Sequence, residues 1–100
     1  PALDLGALGY ADAAWQAGTR HRLNAGRQSL DRILLSGGFT NILGTNLFRF
    51  AECNDAHGRW RQLAKAGIYV RRFAWSDRHL RFGLPGTRAA ETRLESALSP

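Results

Sequence analysis

The sequence predicts an α+β fold: a two-layer domain with a mostly antiparallel sheet of three or four strands covered by helices. Three observations carry this prediction. A long proline-free segment rich in Ala, Leu and Arg opens the chain, and a sharply capped helix is expected at each of two later points. Between them, short runs of β-branched and aromatic residues alternate with polar ones. The resulting order is helix, strand, strand, helix, strand, strand, helix, which packs as two layers around one core. A chain of 100 residues allows a single domain, 1–100, with a modest core.

The first helix is expected over residues 7–36. Trp15, Leu23, Leu30 and Leu34 fall near helical spacing, with Arg20, Arg27 and Asp31 between them. A helix of nearly thirty residues is about 45 Å long, more than the width of such a globule, so part of it should project or pack on something else. Gly18 and Gly26 weaken it and are expected to mark a bend, and Gly37-Gly38 stops it.

Residues 39–43 form a short apolar run that reads as a strand. Gly44-Thr45-Asn46 reads as a turn, and residues 47–52, Leu-Phe-Arg-Phe-Ala-Glu, alternate as a second strand. Asn54 or Asp55 can cap a helix over 56–66, with Trp60, Leu63 and Ala64 on one face and Gly67 as its stop. This helix is the crossover to the next strand. Residues 68–73 and 79–84 then alternate β-branched or aromatic side chains with arginine. The polar residues 75–78 join these runs, and Pro85-Gly86 closes the second. Thr87 caps a third helix reaching Leu98, with Ala90, Leu94 and Leu98 inward. Its capping box is imperfect, because Ala90 stands where Glu would reach back.

Composition narrows the function classes. Hydrophobic residues make up 44% of the chain, with three Trp and five Phe, which argues against disorder. No apolar run approaches the roughly 18–20 residues of a membrane span, and the N-terminus lacks signal-peptide order, so a soluble, cytoplasmic protein is expected. The net charge of +6 rests on thirteen Arg and a single Lys, spread from Arg20 to Arg93 without a dense run. That skew reads as compositional bias rather than a phosphate-tracking surface. A basic nucleic-acid-binding module is therefore the alternative of another class, not the first reading.

Most catalytic chemistry finds no footing. Cys53 is alone, which excludes an internal disulfide and a CxxC pair. His21, His57 and His79 lie far apart without metal-ligand spacing, so no metal site is expected. No nucleophile elbow occurs, and Gly37-Gly38 follows a helix where a phosphate loop would precede one. Lys65 is the one residue able to form a Schiff base, and it sits in Leu-Ala-Lys-Ala-Gly at a helix end, expected to face water. No catalytic residue is expected in this chain. What remains is an arginine on each of two strands, Arg71 or Arg72 on one and Arg81 on the other. Guanidinium forks suit carboxylate and phosphate, so these strands make either a solvated sheet face or an anion site.

The same residues carry a resemblance. Leu80-Arg81-Phe82-Gly83-Leu84-Pro85-Gly86, preceded by Ala66-Gly67-Ile68-Tyr69-Val70-Arg71, resembles the C-terminal end of fold-type-I pyridoxal-phosphate enzymes. The subgroup is that of histidinol-phosphate aminotransferase and threonine-phosphate decarboxylase. Ala11-Asp12-Ala13-Ala14-Trp15-Gln16-Ala17, Gly44-Thr45-Asn46-Leu47-Phe48-Arg49 and Gly83-Leu84-Pro85-Gly86 are most similar to the decarboxylase branch of cobalamin biosynthesis. The match spans nearly the whole chain but only the enzymes' small C-terminal domain.

The resemblance implies roles. Arg81 matches the arginine that grips the substrate α-carboxylate, and Arg71 matches a neighbouring-strand arginine that helps hold a substrate phosphate. Arg72 is an extra charge beside it, and Asn46 receives no role. The resemblance also implies a separate large domain bearing pyridoxal 5′-phosphate and its lysine, with a Ser-x-x-Lys-type segment expected upstream of Pro1. By itself this domain is expected to bind no cofactor and to be inactive. Helix 7–36 would bridge the two domains, the whole enzyme would be a homodimer, and exposed Trp15 and Leu23 would favour self-association of the fragment.

Overall fold

The structure is a computed structural model and describes residues 2–99, with side chains from residue 15 onward. Among the described side chains, the core-facing stripe of helix α1 (Ala2–Ser36) lies near its end, where Leu30, Ile33 and Leu34 are buried at i, i+3 and i+4. Upstream, Trp15, Gln16, Arg20 and His21 are exposed. At 35 residues the helix is about 52 Å long, which accounts for most of the molecule's 57 Å longest dimension. The bend expected at Gly18 and Gly26 does not interrupt it, because the helix is continuous through both. It stops where expected. The Gly38 N–H donates to Leu35 O at 3.2 Å and the Phe39 N–H to Leu34 O at 2.9 Å, with Gly38 at φ 94°. This double closure ends the helix and drops Phe39 into the core beside Leu34.

Four strands follow the order β1-β2-β4-β3, and every pairing is antiparallel. They are β1 (Thr40–Gly44), β2 (Phe48–Glu52), β3 (Arg71–Phe73) and β4 (Ser76–Gly83). Helix α2 (Ala56–Lys65) crosses from β2 to the far edge strand β3, and β4 then returns to lie between them. Asp55, rather than Asn54, caps α2 by accepting the Gly58 N–H at 3.1 Å. Thr87 caps α3 (Arg88–Leu98) as the sequence implies, accepting the Ala90 N–H at 3.1 Å.

All three helices lie against one face of the sheet. Ala51 of β2 and Leu80 and Phe82 of β4 meet Leu30, Leu34, Phe39, Leu63, Leu94 and Leu98 there. Phe39 packs edge-on to Phe82 at 5.2 Å between ring centres. The opposite face carries no helix.

The bounds of every strand differ from the sequence reading, by one residue at most except at the starts of β3 and β4. Only Arg71–Phe73 of the expected strand 68–73 joins the ladder. Ile68 donates its N–H to Leu63 O to close α2, and Val70 O accepts the Trp60 indole N–H at 2.8 Å, so both groups are committed elsewhere. The hairpin turn is Ala74-Trp75, and Ser76, Asp77 and Arg78 belong to β4 instead of a connection. Gly44 closes β1 rather than opening the turn, and β1 begins at Thr40 after the buried Phe39. A bulge near Asn41, at φ 48°, adds one residue to this edge strand.

One ion pair ties the long helix to the sheet. The Arg49 side chain is 9% exposed, and its Nε donates to Asp31 Oδ1 at 2.8 Å. Its remaining N–H groups reach Thr45 O and Ile42 O, each at 3.4 Å, while Arg27 supports Asp31 from 3.8 Å. Asn46 Nδ2 donates to Asn24 Oδ1 at 2.8 Å and pins the same hairpin to α1 about two turns earlier. Replacing Asp31 leaves a buried guanidinium without its counter-charge. Asp31→Asn is expected to cost about 2–3 kcal/mol, less than for a fully buried pair because Asp31 is partly open. Urea unfolding checks this as a lowered midpoint at unchanged m-value.

Candidate functional site

The ladder register decides which side chains share the open face. Phe48 lies opposite Gly83, Phe50 opposite Arg81 and Glu52 opposite His79, while Arg71 lies opposite Arg81 on the other side. Residues directly opposite in an antiparallel pair point to the same face. Phe48, Phe50, Glu52, Arg71, Phe73, His79 and Arg81 therefore stand on the side away from the helices. Arg72 lies opposite the buried Leu80 and points the other way, with its guanidinium 4.4 Å from the Trp60 ring centre. Arg71, not Arg72, is the neighbour of Arg81.

Arg71 and Arg81 are both exposed. Like charges directly across a ladder repel, and neither arginine has a carboxylate partner among the described residues. Rings support them instead. The Arg81 guanidinium lies 5.1 Å from the Phe48 ring centre, and that of Arg71 lies 5.9 Å from Phe73. Between them is an open hollow of about 380 Å³ lined by Phe48, Tyr69, Val70, Arg71, Arg81 and Gly83. Two unneutralised guanidinium groups on one hollow can take an anion through paired N–H donors. A larger hollow of about 440 Å³ lies between α1 and the start of α3, with Arg22 and Arg88 but also Glu91 in its wall. Its cations are partly answered, so it is the weaker anion site.

The remaining chemistry-bearing residues do not line the arginine hollow. Lys65 is exposed in the last turn of α2, on the helix layer and away from the Arg71–Arg81 face. Cys53 is buried, and that burial pushes its thiol above the ordinary 9.0. Ser76 Oγ lies 2.6 Å from His79 Nδ1 but also accepts the Arg78 N–H, closing the hairpin. Asp77 binds His57, through its backbone N–H at 2.9 Å and the ring at 3.4 Å. Among the described residues no group of three His, Cys, Asp or Glu could hold a metal ion, and no helix is long and apolar enough to cross a membrane.

Sequence reasoning placed the two arginines on strands but missed the aromatic side chains sharing their face. Phe50, Phe73, Trp75 and His79 form one cluster, in which Phe50 stacks on His79 at 4.7 Å with planes 14° apart. The signal was the shared parity of Phe48 and Phe50, which becomes informative only when the register sets Phe50 opposite Arg81. The same holds for the Arg49–Asp31 pair.

Comparison with known proteins adds one finding. No family model matches the chain, and neither does any curated protein. Among solved structures it is similar to the ornithine aminotransferase of Toxoplasma gondii, crystallized in the presence of oxidized glutathione with partial occupancy of PLP at its active site. The two share 26% identity at a TM-score of 0.57 over 77% of this chain. The likeness supports a domain of the pyridoxal-phosphate aminotransferase fold. The chain spans 21% of that enzyme's length. The α+β architecture with its long first helix is that of a small aminotransferase domain.

Glu52 gives the face a measurable pH response. The Asn41 amide, at 2.7 Å, is the main cause of a carboxyl held below its ordinary 4.5, and Arg78, at 3.1 Å, is the second. A lowered value in the fold means stability present above the unfolded pKa and lost as pH falls through the folded one. Acid titration of urea stability should therefore show a loss below pH 4.5 that Glu52→Gln makes smaller. Equal acid slopes for both proteins would contradict the assignment.

Proposed function

We propose that this domain grips the anionic groups of a phosphorylated amino-acid substrate in a pyridoxal-phosphate-dependent enzyme of the threonine-phosphate decarboxylase type. The observation that carries the reading is the Arg71–Arg81 pair, unneutralised and side by side on the open sheet face. Arg81 takes the α-carboxylate and Arg71 the phosphate. Phe48 and Phe73 hold the two guanidinium planes by cation–π contact, which reduces the entropy lost on binding.

This chain's own residues do not fit the cofactor. Lys65 stands on the helix side of the sheet, and no other lysine exists to form a Schiff base. In this reading pyridoxal phosphate sits on a separate large domain, the assembled enzyme is a cytoplasmic homodimer, and the domain alone is inactive. The projecting part of α1 is then the bridge to that large domain. The chain contributes grip and orientation, and the orientation of the carboxylate decides which bond of the substrate breaks.

The histidinol-phosphate aminotransferase reading uses the same arginines and is favoured by the likeness to a solved structure that is itself an aminotransferase. Carbon dioxide release from threonine phosphate, set against amino transfer from histidinol phosphate, separates the two in the whole enzyme. In either case Arg81→Ala is expected to lower kcat/KM by the equivalent of roughly 2–4 kcal/mol, as for loss of a charge-assisted pair. Arg72→Ala should leave kcat/KM near the wild-type value, because its side chain lies on the other face. An unchanged kcat/KM in Arg81→Ala would sink the assignment.

A further inference from the structure

Beyond the arginine hollow, the open sheet face carries an aromatic platform of which substrate grip uses only the Phe48 and Phe73 ends. Phe50 is its centre. Its ring centre lies 4.7 Å from that of His79, 5.4 Å from Phe73 and 6.4 Å from Trp75, the first and last nearly parallel to it at 14° and 22°. Trp75 borders the cluster from the hairpin turn, its ring centre 5.2 Å from that of Phe73 and 5.6 Å from that of His79, and is 69% exposed. Phe48, two residues along β2 from Phe50, extends the row to the foot of Arg81.

We propose that this face binds single-stranded nucleic acid, with bases stacking on Trp75 and the Phe50–His79 rings and phosphates reaching Arg71 and Arg81. A sheet face with exposed rings and unneutralised arginines offers what such strands need, a π-surface for any base and cations for the backbone. Scattered arginines are weak evidence in the sequence, but the register collects two of them beside the rings. Charge also discriminates between occupants. A second copy of this chain on the same face would bring Arg71 and Arg81 against their duplicates, in a protein of net charge +6. An acidic peptide would answer the arginines and leave the rings uncovered. A duplex hides its bases and cannot use the platform.

The test is fluorescence anisotropy of the full chain with labelled oligo-dT and oligo-U, against a duplex of equal length. The single strands should bind more tightly than the duplex, the two arms telling DNA from RNA. Trp75→Ala should weaken them about 5- to 150-fold, the range for losing one stacked base. Trp15→Ala removes an indole of similar exposure, 66%, from the far helix and should change nothing. Circular dichroism confirms that the variants are folded, and Trp75→Phe should retain most of the binding. Arg71→Ala should lower the salt slope by about one. Equal binding of duplex and single strand, or wild-type affinity in Trp75→Ala, would overturn the proposal. So would displacement by polyglutamate as effective as by unlabelled oligo-dT, since it would reduce binding to charge alone. The proposal draws on the same two arginines as the enzyme reading, yet the two fail separately, because turnover of Arg81→Ala and strand binding of Trp75→Ala are separate measurements.

Discussion

The ladder between β2 and β4 sets which side chains meet on each side of the domain. Phe50 faces Arg81 and Glu52 faces His79, while Ala51 faces Leu80 on the side of the helices. A slip of one residue would send Leu80 and Phe82 into water and Arg81 into the core. The buried trio Ala51, Leu80 and Phe82 is thus what holds the arginines outward. Packing beneath the sheet and chemistry above it are two readings of one register.

The Arg49–Asp31 pair extends this constraint to α1. Arg49 lies opposite Phe82, on the helix side, where a lone charge would be costly. Asp31 and the carbonyls of Thr45 and Ile42 supply its counter-charge and acceptors. Such a pair adds less to stability than apolar packing would, and its main effect is geometric. It fixes the rotation of α1 against the β1–β2 hairpin, so the apolar stripe ending in Leu34 can face only one way.

Helix ends were the most legible part of the sequence, because their determinants are local. Thr87 and the glycines after α1 and α2 act through bonds spanning only a few residues. Strand limits were less legible. Ser76, Asp77 and Arg78 read as a connection because their side chains are polar, yet they pair as strand where the sheet meets solvent and the start of α2. Residues 68–70 have strand composition, but the Trp60 indole and the C-terminal carbonyl of α2 take the groups a ladder would need. Arg71 could not be separated from Arg72 by pattern, since adjacent residues alternate faces and only the partner strand says which is which. Arg81, isolated between Leu80 and Phe82, needed no such help.

The strand order also bears on how the chain acquires its shape during synthesis. The central strand β4 is made after β1, β2, α2 and β3, so the sheet stays split into two unpaired halves until Gly83 has emerged. Until then β2 has only β1 beside it, and Ala51 and Phe39 lack the Leu80–Phe82 partner surface. Pairing across α2 closes a loop of some two dozen residues, whereas β3 and β4 need only a two-residue turn. A nascent chain stalled before β4 would therefore expose a sticky half-sheet, and completing that one strand both buries it and assembles the outer face in a single step.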